Sequence, residues 1–342
     1  MLKTIENFAI VFVHLGDNPS PTLIPFAKFA LKNNPESEIF LITDSEHRWG
    51  DFPGRLIVSK TRNKRAIKHL TQRSRYMEKI AGGYWVRTYE RLFALSNLYG
   101  NIDRNLPIIH IESDVLLQDS RILKEALKPH IEKEIAVPRV SEDLGIASIL
   151  YSRNVECLIN GLKKLEILGR SYPEICTNDM KLLGLALNKN IVGELPTWVN
   201  SKLGNSFSKK QYLFDGAAIG QYLFGRDPIH TDNVRISGYE NPALPVRPSD
   251  LAWGLEQNTI RASDGETEYY FANLHIHSKE IIDHPTSDNK RWLEILEEAN
   301  GDNPRRPSEL IKDEMHSRGY SPLVKLEIFL RTRLARKNVP KR

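Results

Sequence analysis

The sequence contains little cysteine and no long apolar run. Its 2 cysteines, Cys157 and Cys176, do not form a CxxC pair, so neither a disulfide framework nor an oxidising compartment is expected. No apolar segment reaches the roughly 18 residues that a membrane-spanning helix needs. The first apolar run leads into a Gly-Asp turn and not into a small-residue cleavage site, so no signal peptide is expected. These features favour a soluble protein of the reducing cytoplasm.

The composition is that of a globular protein with an excess of positive charge. Hydrophobic residues make up 40% of the sequence and charged residues 27%, and the formal net charge is +5. An excess of cations favours an anionic partner. Many cations lie in residues 60–91, where they would either form a solvated helical face or contact a diphosphate or an anionic acceptor. Nucleic acid is not expected, because this stretch has no reader motif and few interleaved aromatic residues.

The first sixty residues predict a parallel, doubly wound α/β sheet. Buried strands and one amphipathic helix are predicted at residues 7–15, 21–33, 38–43 and 56–59. In such sheets ligands bind beyond the carboxyl ends of the strands. Residues at two of those ends are therefore candidates for contact with a nucleotide, and plain turns are the alternative. The candidates are His14, Gly16, Asp17 and Asp44.

The acidic triplet Glu112-Ser113-Asp114 interrupts an apolar stretch that runs from 107 to 117. Burying an unpaired carboxylate is costly, so such groups are usually paired or bound to a metal. At the end of a central strand, two carboxylates can offer oxygen ligands to Mg²⁺ or Mn²⁺ while a nucleotide diphosphate supplies others. Acid-x-acid triplets are common, and a strand end that precedes an ordinary turn is the alternative.

A late segment, residues 270–279, is predicted to be a strand with a polar face. Alternate residues of a strand point to one side, so His275, His277 and Lys279 would lie together. Imidazole and carboxylate form a ligand set that suits Mn²⁺ or another divalent ion. One of the two histidines is therefore expected to join the acidic triplet, although a buried structural role is open for either. Lys279 would face a phosphate attached to the metal.

Two other carboxylates lie in polar or tightly turned segments. Asp179 begins a predicted helix, and its preceding Thr-Asn pair is expected to cap that helix. Asp215 lies among small residues in the segment 213–223. Gly145 is expected to let a buried strand at 144–151 pass close to a ligand.

The last sixty residues differ in character from the rest. Residues 284–322 are polar and contain prolines, and residues 321–342 form a predicted amphipathic helix with a strongly basic face. Such a helix can lie on an anionic bilayer surface. A terminal helix docked on the protein is the alternative, and the two remain open.

These elements occur in an order that suits group transfer from a nucleotide-activated donor, where a metal offsets the charge of the leaving diphosphate. Over residues 7–280 the sequence resembles the GT-A fold glycosyltransferases. It is distantly similar to the retaining family 8 enzymes, and closer to bacterial enzymes that build surface polysaccharide or lipopolysaccharide.

The resemblance implies a metal and donor site. The acidic triplet stands where the family has its DxD motif, with Glu112 in place of the first Asp, which makes Asp114 the safer ligand. The late histidine that completes the family's metal site corresponds to His275 or His277. Lys279 then corresponds to the lysine on the diphosphate. Ser113 and the predicted strand-end residues would contact the nucleotide part of the donor.

The resemblance also implies a reaction centre. Residues 145–148 loosely match the family's Gly-containing strand beside the donor sugar, and Asp179 matches the last member of a loop near sugar and acceptor. Asp179 is thus expected to lie nearest the anomeric carbon. It would serve as general base in an inverting enzyme, or stabilise an oxocarbenium-like transition state in a retaining one. Asp215 is the second candidate for this role.

The predicted fold is a GT-A-like, doubly wound, mainly parallel α/β sheet with flanking helices and a helical C-terminal extension. Residues 1–283 would form the catalytic domain, with a nucleotide-binding half at 1–117 and an acceptor and metal-completing half at 118–283. The extension would cover 284–342. The expected reaction moves a sugar from a nucleotide-diphosphate donor, expected to be a UDP-sugar, to a saccharide or lipid-linked acceptor in cell-surface glycan synthesis. The expected location is the cytoplasm, with docking on the inner membrane face through residues 321–342.

Two other classes remain open. A nucleotidyltransferase would share the strand-end metal site, but it would be expected to carry a Gly-rich, basic loop after the first strand, which HLGDNPSPTL lacks. A non-catalytic sugar- or nucleotide-binding module would tolerate loss of the metal ligands. The sequence retains both the acidic and the histidine candidates, which argues against a non-catalytic module.

Overall fold

The computed structural model describes residues 7–16, 20–45, 49–59, 84–130, 132–198, 209–224, 247–257, 259–276, 293, 295–297 and 300. The predicted site residues Asp17, His277 and Lys279 lie outside these residues, and so does the basic segment 321–342. Among the helices of the described part, none is long and apolar enough to cross a membrane.

The described residues form fourteen strands and six α-helices. The strands are β1 Ala9–His14, β2 Glu38–Thr43, β3 Arg55–Val58, β4 Ile108–Ile111, β5 Val115–Leu117, β6 Ile135–Ser141, β7 Leu144–Gly145, β8 Ile149–Ser152, β9 Gly193–Leu195, β10 Lys210–Leu213, β11 Ala252–Glu256, β12 Thr259–Ser263, β13 Glu268–Phe271 and β14 Asn273–His275. The helices are α1 Leu23–Asn33, α2 Tyr84–Ala94, α3 Ser120–Leu127, α4 Val155–Ser171, α5 Asp179–Asn188 and α6 Ile219–Phe224.

The central sheet has the order β3-β2-β1-β4-β8-β6-β7, and β9 pairs with β6. Strands β3, β2, β1 and β4 are mutually parallel, and β9 is parallel to β6. Strand β8 runs antiparallel to both β4 and β6. The prediction of an α/β fold with a mainly parallel sheet is therefore confirmed.

Helices cover both faces of the central sheet because alternate residues of its strands are apolar on both sides. In β1, Ala9, Val11 and Val13 join a buried cluster that includes residues of α2, α4 and α5. Ile10 and Phe12 point the other way and pack with residues of α1 and α3. Each large apolar side chain that is fully buried stabilises the fold by about 1.5–3 kcal/mol. The doubly wound arrangement predicted from the sequence is confirmed.

Two smaller sheets bring the late part of the chain back to the central sheet. Strand β14 pairs antiparallel with β5, placing His275 opposite Val115. Strands β10, β13, β12 and β11 form a four-stranded sheet, whose apolar side chains build a third cluster around Trp198, Trp253 and Phe271. The pairing of β14 with β5 is the contact that carries the late histidine to the acidic triplet.

Two predicted segments differ from the observed ones. The strand predicted at 144–151 is divided into β7 and β8, and the segment 213–223 leaves β10 and enters α6. The close approach expected at Gly145 is made to helix α5. A Cβ atom at Gly145 would lie 2.9 Å from Leu187 and 3.0 Å from Leu183, so tight helix packing explains the glycine.

Candidate metal and active site

The acidic triplet lies at the carboxyl edge of the central sheet, in the short connection between β4 and β5. Its backbone is held at three points by three different segments. The Glu112 N–H donates to the Ser148 carbonyl at 3.0 Å, and the Asp114 carbonyl accepts from the Ile276 N–H at 2.7 Å. The Ser113 carbonyl accepts from the Thr22 hydroxyl at 2.6 Å. Such multiple attachment fixes the backbone from which both acidic side chains project, as a binding site requires.

Three predicted metal ligands come together at this edge. One ligand atom from each of Glu112, Asp114 and His275 lies within 4.8 Å of the others. The His275 Nε2 atom is 3.7 Å from the Asp114 Oδ2 atom. Two carboxylates and one imidazole converging in this way could bind a divalent cation. Of the two candidate histidines, His275 is the one that the described structure places here.

The orientation of His275 leaves one ring nitrogen directed at the acidic triplet. Its Nδ1 atom lies 2.6 Å from the Gly216 carbonyl, which assigns the Nδ1 proton to that bond. A backbone carbonyl that holds the far nitrogen of a histidine fixes its ring and tautomer, an arrangement common in metal sites. Burial alone would lower the pKa of His275, but Asp114, Glu112 and the Gly216 carbonyl together raise it to about 9.

Asp215 lies behind His275 and holds it in place. Its Oδ1 atom accepts hydrogen bonds from the N–H groups of Ala218 and Ile219, at 2.8 and 3.0 Å. Its Oδ2 atom accepts from Gly220 at 2.7 Å and from His275 at 2.9 Å. Both carboxylate oxygens are thus engaged by backbone N–H groups at the start of α6. This geometry favours a positioning role over the catalytic role that the sequence suggested as a second choice.

Gly220 permits helix α6 to lie directly against strand β14. A Cβ atom at this position would overlap the backbone carbonyl group of His275. Any side chain at position 220 would therefore push the histidine strand away from the acidic triplet. Because backbone atoms cannot move aside as a flexible side chain can, this close approach requires glycine.

Glu112 is paired with a cation from helix α2. The Arg91 guanidinium donates to the Glu112 Oε1 atom at 2.9 Å, and the exposed fractions of the two side chains are 24% and 16%. A partly buried, charge-assisted contact of this length is stronger than an ordinary surface ion pair. The structure thus gives Glu112 a partner other than a metal, in line with the weaker ligand role expected from its place in the triplet.

Asp179 is the first residue of helix α5 and is 5% exposed. The Asn178 side chain caps this helix by accepting from the Lys181 N–H, as the sequence predicted. The Thr88 hydroxyl donates to the Asp179 Oδ1 atom at 2.8 Å. Burial, together with the charge of Glu112, raises the pKa of Asp179 to about 6, against the hydrogen bond from Thr88 and the charge of Arg91. A buried carboxyl group that titrates near neutral pH is a candidate for acid-base or electrostatic work.

The predicted nucleotide contacts lie at the same edge of the sheet. The Asp44 carboxylate accepts from the Gly16 N–H, with oxygen distances of 3.1 and 3.2 Å. Gly16 has a φ of +117°, a backbone conformation that residues other than glycine rarely adopt. The His14 ring packs edge-on against Trp49, with 5.1 Å between ring centroids. These contacts shape the loop after β1, and the nucleotide-binding role of its residues stays a prediction.

Sequence reasoning did not single out the two side chains of α2 that reach the site. Thr88 contacts Asp179, and Arg91 contacts Glu112. They are three positions apart and so lie on one face of the helix. That spacing was visible in the sequence, but many cations precede Arg91, and nothing in the helical pattern showed which of them faces the carboxylates.

No protein-family model matches the chain, and neither does any curated protein. Solved structures that are partly similar to the chain include glycosyltransferases. The glycosyltransferase GlyE of Streptococcus pneumoniae TIGR4 is 17% identical, with a TM-score of 0.37 over 57% of this chain and 46% of that one. The galactosyltransferase LgtC, solved with donor and acceptor sugar analogs, is 12% identical, with a TM-score of 0.34 over 52% and 69%. Mouse xyloside xylosyltransferase 1 is 11% identical, with a TM-score of 0.35 over 56% and 86%.

The chain therefore spans less than half the length of GlyE, since the match covers 46% of that protein.

Proposed function

We propose that the protein is a metal-dependent glycosyltransferase that moves a sugar from a nucleotide-diphosphate donor, with a UDP-sugar as the expected donor. The observation that carries the proposal is the convergence of Glu112, Asp114 and His275 within 4.8 Å at the carboxyl edge of a doubly wound sheet. That edge is where such sheets bind nucleotides. A divalent cation there would offset charge that develops on a departing diphosphate.

The residues present fit a hard divalent cation such as Mn²⁺ or Mg²⁺. Asp114 supplies carboxylate oxygen, and His275 presents Nε2 because its Nδ1 atom is bonded to Gly216. Asp215 orients this histidine through its backbone. We assign Asp114 and His275 as the principal ligands. Lys279, four positions beyond His275, remains the proposed diphosphate contact, and the loop with Gly16 and Asp44 remains the proposed nucleoside contact.

Asp179 is the proposed residue nearest the anomeric carbon. Thr88 fixes the direction of its carboxylate, and Arg91 lies close enough to lower its pKa against the effect of burial. In a retaining enzyme the ionised carboxylate would stabilise positive charge that develops on the donor sugar. In an inverting enzyme a pKa of about 6 would suit proton abstraction from an acceptor hydroxyl near neutral pH.

The proposed acceptor is a saccharide or lipid-linked glycan of cell-surface synthesis, such as lipopolysaccharide. Support comes from the predicted amphipathic segment at 321–342, whose basic face suits the anionic inner surface of a membrane. Docking there would bring a soluble catalytic domain to lipid-linked substrates.

The test of the proposed class is release of free nucleoside diphosphate. The protein is incubated with a panel of UDP-, GDP-, ADP- and TDP-sugars in Mn²⁺ or in EDTA. We expect slow release of UDP from one donor in Mn²⁺ and none in EDTA. Release of pyrophosphate from a nucleoside triphosphate plus sugar phosphate would indicate a nucleotidyltransferase instead. No release from any donor, with no metal-dependent UDP binding, would contradict the proposal.

One variant and one control test whether the activity depends on the proposed metal site. Asp114→Asn removes one charge from the metal-ligand group and is expected to lower UDP release at least about 100-fold, because ligand loss weakens metal binding strongly. Glu132→Gln is the matched control, since its side chain is 78% exposed and pairs only with Arg153 among the described residues. It should keep full activity.

A further inference from the structure

Arg91 introduces a fixed positive charge into the group of residues that would bind the metal. Its guanidinium is 2.9 Å from the Glu112 carboxylate, and Glu112 in turn lies within 4.8 Å of the Asp114 and His275 ligand atoms. A guanidinium carries its charge at every accessible pH. A divalent cation at this site would therefore meet both a repulsive charge and a carboxylate that is already engaged.

The pairing of Arg91 has a second effect, on the neighbouring carboxylate of helix α5. Glu112 raises the pKa of Asp179 and Arg91 lowers it, so both charges are felt at that residue. Thr88, one turn before Arg91 on α2, holds Asp179 directly. One face of α2 thus sets the charge balance around both the triplet and the buried carboxyl group.

We propose that Arg91 is a positioning residue that keeps Glu112 out of the metal coordination shell and thereby weakens divalent-cation binding. Asp114 and His275 are then the two protein ligands, and the Arg91–Glu112 ion pair is a structural neighbour of the metal. The inference rests on the proposed metal site, and it deepens it by separating ligand from non-ligand within the triplet.

The difference between a ligand and an ion-paired neighbour can be measured with a charge-balanced variant. The double variant Arg91→Gln, Glu112→Gln removes one positive and one negative charge, so the net charge at the site is that of the native protein. If Glu112 is no ligand, Mn²⁺ affinity stays within about threefold of native, because only the neutral pair is lost. If Glu112 is a ligand, the same variant loses about tenfold or more.

The single variant Arg91→Gln is expected to raise the affinity for Mn²⁺, whereas the loss of a metal ligand would lower it. Arg91→Gln removes the repulsive charge and frees Glu112 to bind the cation, so Mn²⁺ affinity is expected to rise on the order of tenfold. Arg91→Lys retains the charge and should stay within about threefold of native. A gain in affinity cannot result from damage to the fold, which makes this readout specific.

The measurement is titration of each purified full-length variant with Mn²⁺ alone, by calorimetry and by the decrease of the free-Mn²⁺ electron paramagnetic resonance signal. Arg87→Gln is the matched control on the same helix, since Arg87 pairs with Glu90 and its side chain is 46% exposed. It should not change the affinity. Because no donor is present, the result is independent of whether sugar transfer is detected. Unchanged or weaker binding in Arg91→Gln would overturn the inference. So would a large loss in the double variant, or no Mn²⁺ binding by any of the proteins.

Discussion

Asp215 accepts a hydrogen bond from the backbone N–H of His275 at 2.9 Å, although 60 positions separate the two residues. The same carboxylate accepts three further N–H groups at the start of helix α6. The start of α6 and strand β14, which carries the proposed metal ligand His275, are thus joined through one buried side chain. The consequences of removing its charge can be measured separately from catalysis.

For Asp215→Asn we expect lower stability and weaker metal binding. An amide group has only one acceptor oxygen, so at least one pair of the bonded N–H groups loses its partner, at a cost of about 1–3 kcal/mol in unfolding free energy. Displacement of His275 should lower Mn²⁺ affinity about tenfold or more. Urea unfolding and calorimetry measure the two effects. Asp119→Asn is the control, because Asp119 caps α3 with one hydrogen bond and asparagine caps equally well.

The result for Asp215 also decides its role. A variant with native stability and native Mn²⁺ affinity that nevertheless loses UDP release would restore Asp215 as a catalytic group.

For Asp179→Asn we expect loss of activity together with a gain in stability at neutral pH. The pKa of Asp179 is raised from 3.8 to about 6 in the folded protein, so the folded state holds the proton more tightly than the unfolded state does. Ionisation therefore destabilises the fold progressively as pH rises from about 4 to 6, by about 2–3 kcal/mol in total. Asparagine is neutral throughout and avoids this cost above pH 6, but gains nothing at pH 3.5.

Urea unfolding at pH 3.5 and at pH 7.5 measures the difference for Asp179→Asn. Asp264→Asn is the comparison variant, because the pKa of Asp264 is shifted in the opposite direction to that of Asp179. Slight burial raises the pKa of Asp264, but hydrogen bonds from Thr267, Tyr269 and Glu266 outweigh it and lower the pKa. Its replacement should reduce stability at pH 7.5. Equal destabilisation by Asp179→Asn at both pH values would show that burial does not disfavour ionisation of the Asp179 carboxyl group.

Binding of Mn²⁺ should release about one proton at pH 7.5. The pKa of His275 is about 9 in the metal-free protein, so its Nε2 atom is protonated at that pH and must lose the proton to become a ligand. Mn²⁺ affinity is then expected to rise up to about tenfold per pH unit between pH 6.5 and 9 and to level off above. The His275–Asp114 ion pair stabilises the fold fully below pH 6.5, and that contribution is lost as pH rises through 9.

Calorimetry in buffers of different ionisation enthalpy counts the released protons. His275→Gln should abolish the release and weaken binding. His130→Gln is the control, because burial lowers the pKa of His130 to about 4 and leaves it neutral at pH 7.5. Tight, pH-independent Mn²⁺ binding by the native protein would exclude His275 as a ligand.

Deleting residues 321–342 should release the protein from anionic liposomes. Cations in this segment would each contribute about 1 kcal/mol of attraction to an anionic surface. They are Lys325, Arg331, Arg333, Arg336, Lys337, Lys341 and Arg342. Sedimentation with vesicles that contain phosphatidylglycerol measures binding, and zwitterionic vesicles are the control. Retention of the shortened protein on anionic vesicles would assign membrane binding to another part of the chain, and would leave the docked-helix alternative for this segment.

The central sheet could be predicted from the sequence because its strands are strongly patterned. Residues 8–13 are continuously apolar, as a strand buried on both faces requires, and all but the first of them lie in β1 between two layers of helices. The acidic triplet was also visible, because charged residues stand out between apolar flanks. Asp114 and His275 could be paired only as a hypothesis, since the contact depends on β14 returning antiparallel to β5.

The supporting contacts could not be predicted, because each depends on how distant elements pack. Nothing near Asp215 in the sequence shows that the His275 N–H will complete its hydrogen bonds. The glycine at 145 suggested space for a ligand, but its neighbours are the leucines of α5. Arg91 was one cation among many until the packing of α2 placed it on Glu112.

The central claim is that one divalent cation lies between Asp114 and His275 and holds the donor diphosphate. A crystal structure with Mn²⁺ and UDP, with diffraction data at the manganese absorption edge, tests it most directly. We expect a single anomalous peak bonded to the Asp114 carboxylate and to His275 Nε2, with the UDP diphosphate oxygens completing its coordination. UDP bound without an anomalous peak at these residues, or manganese bound elsewhere on the protein, would contradict the account.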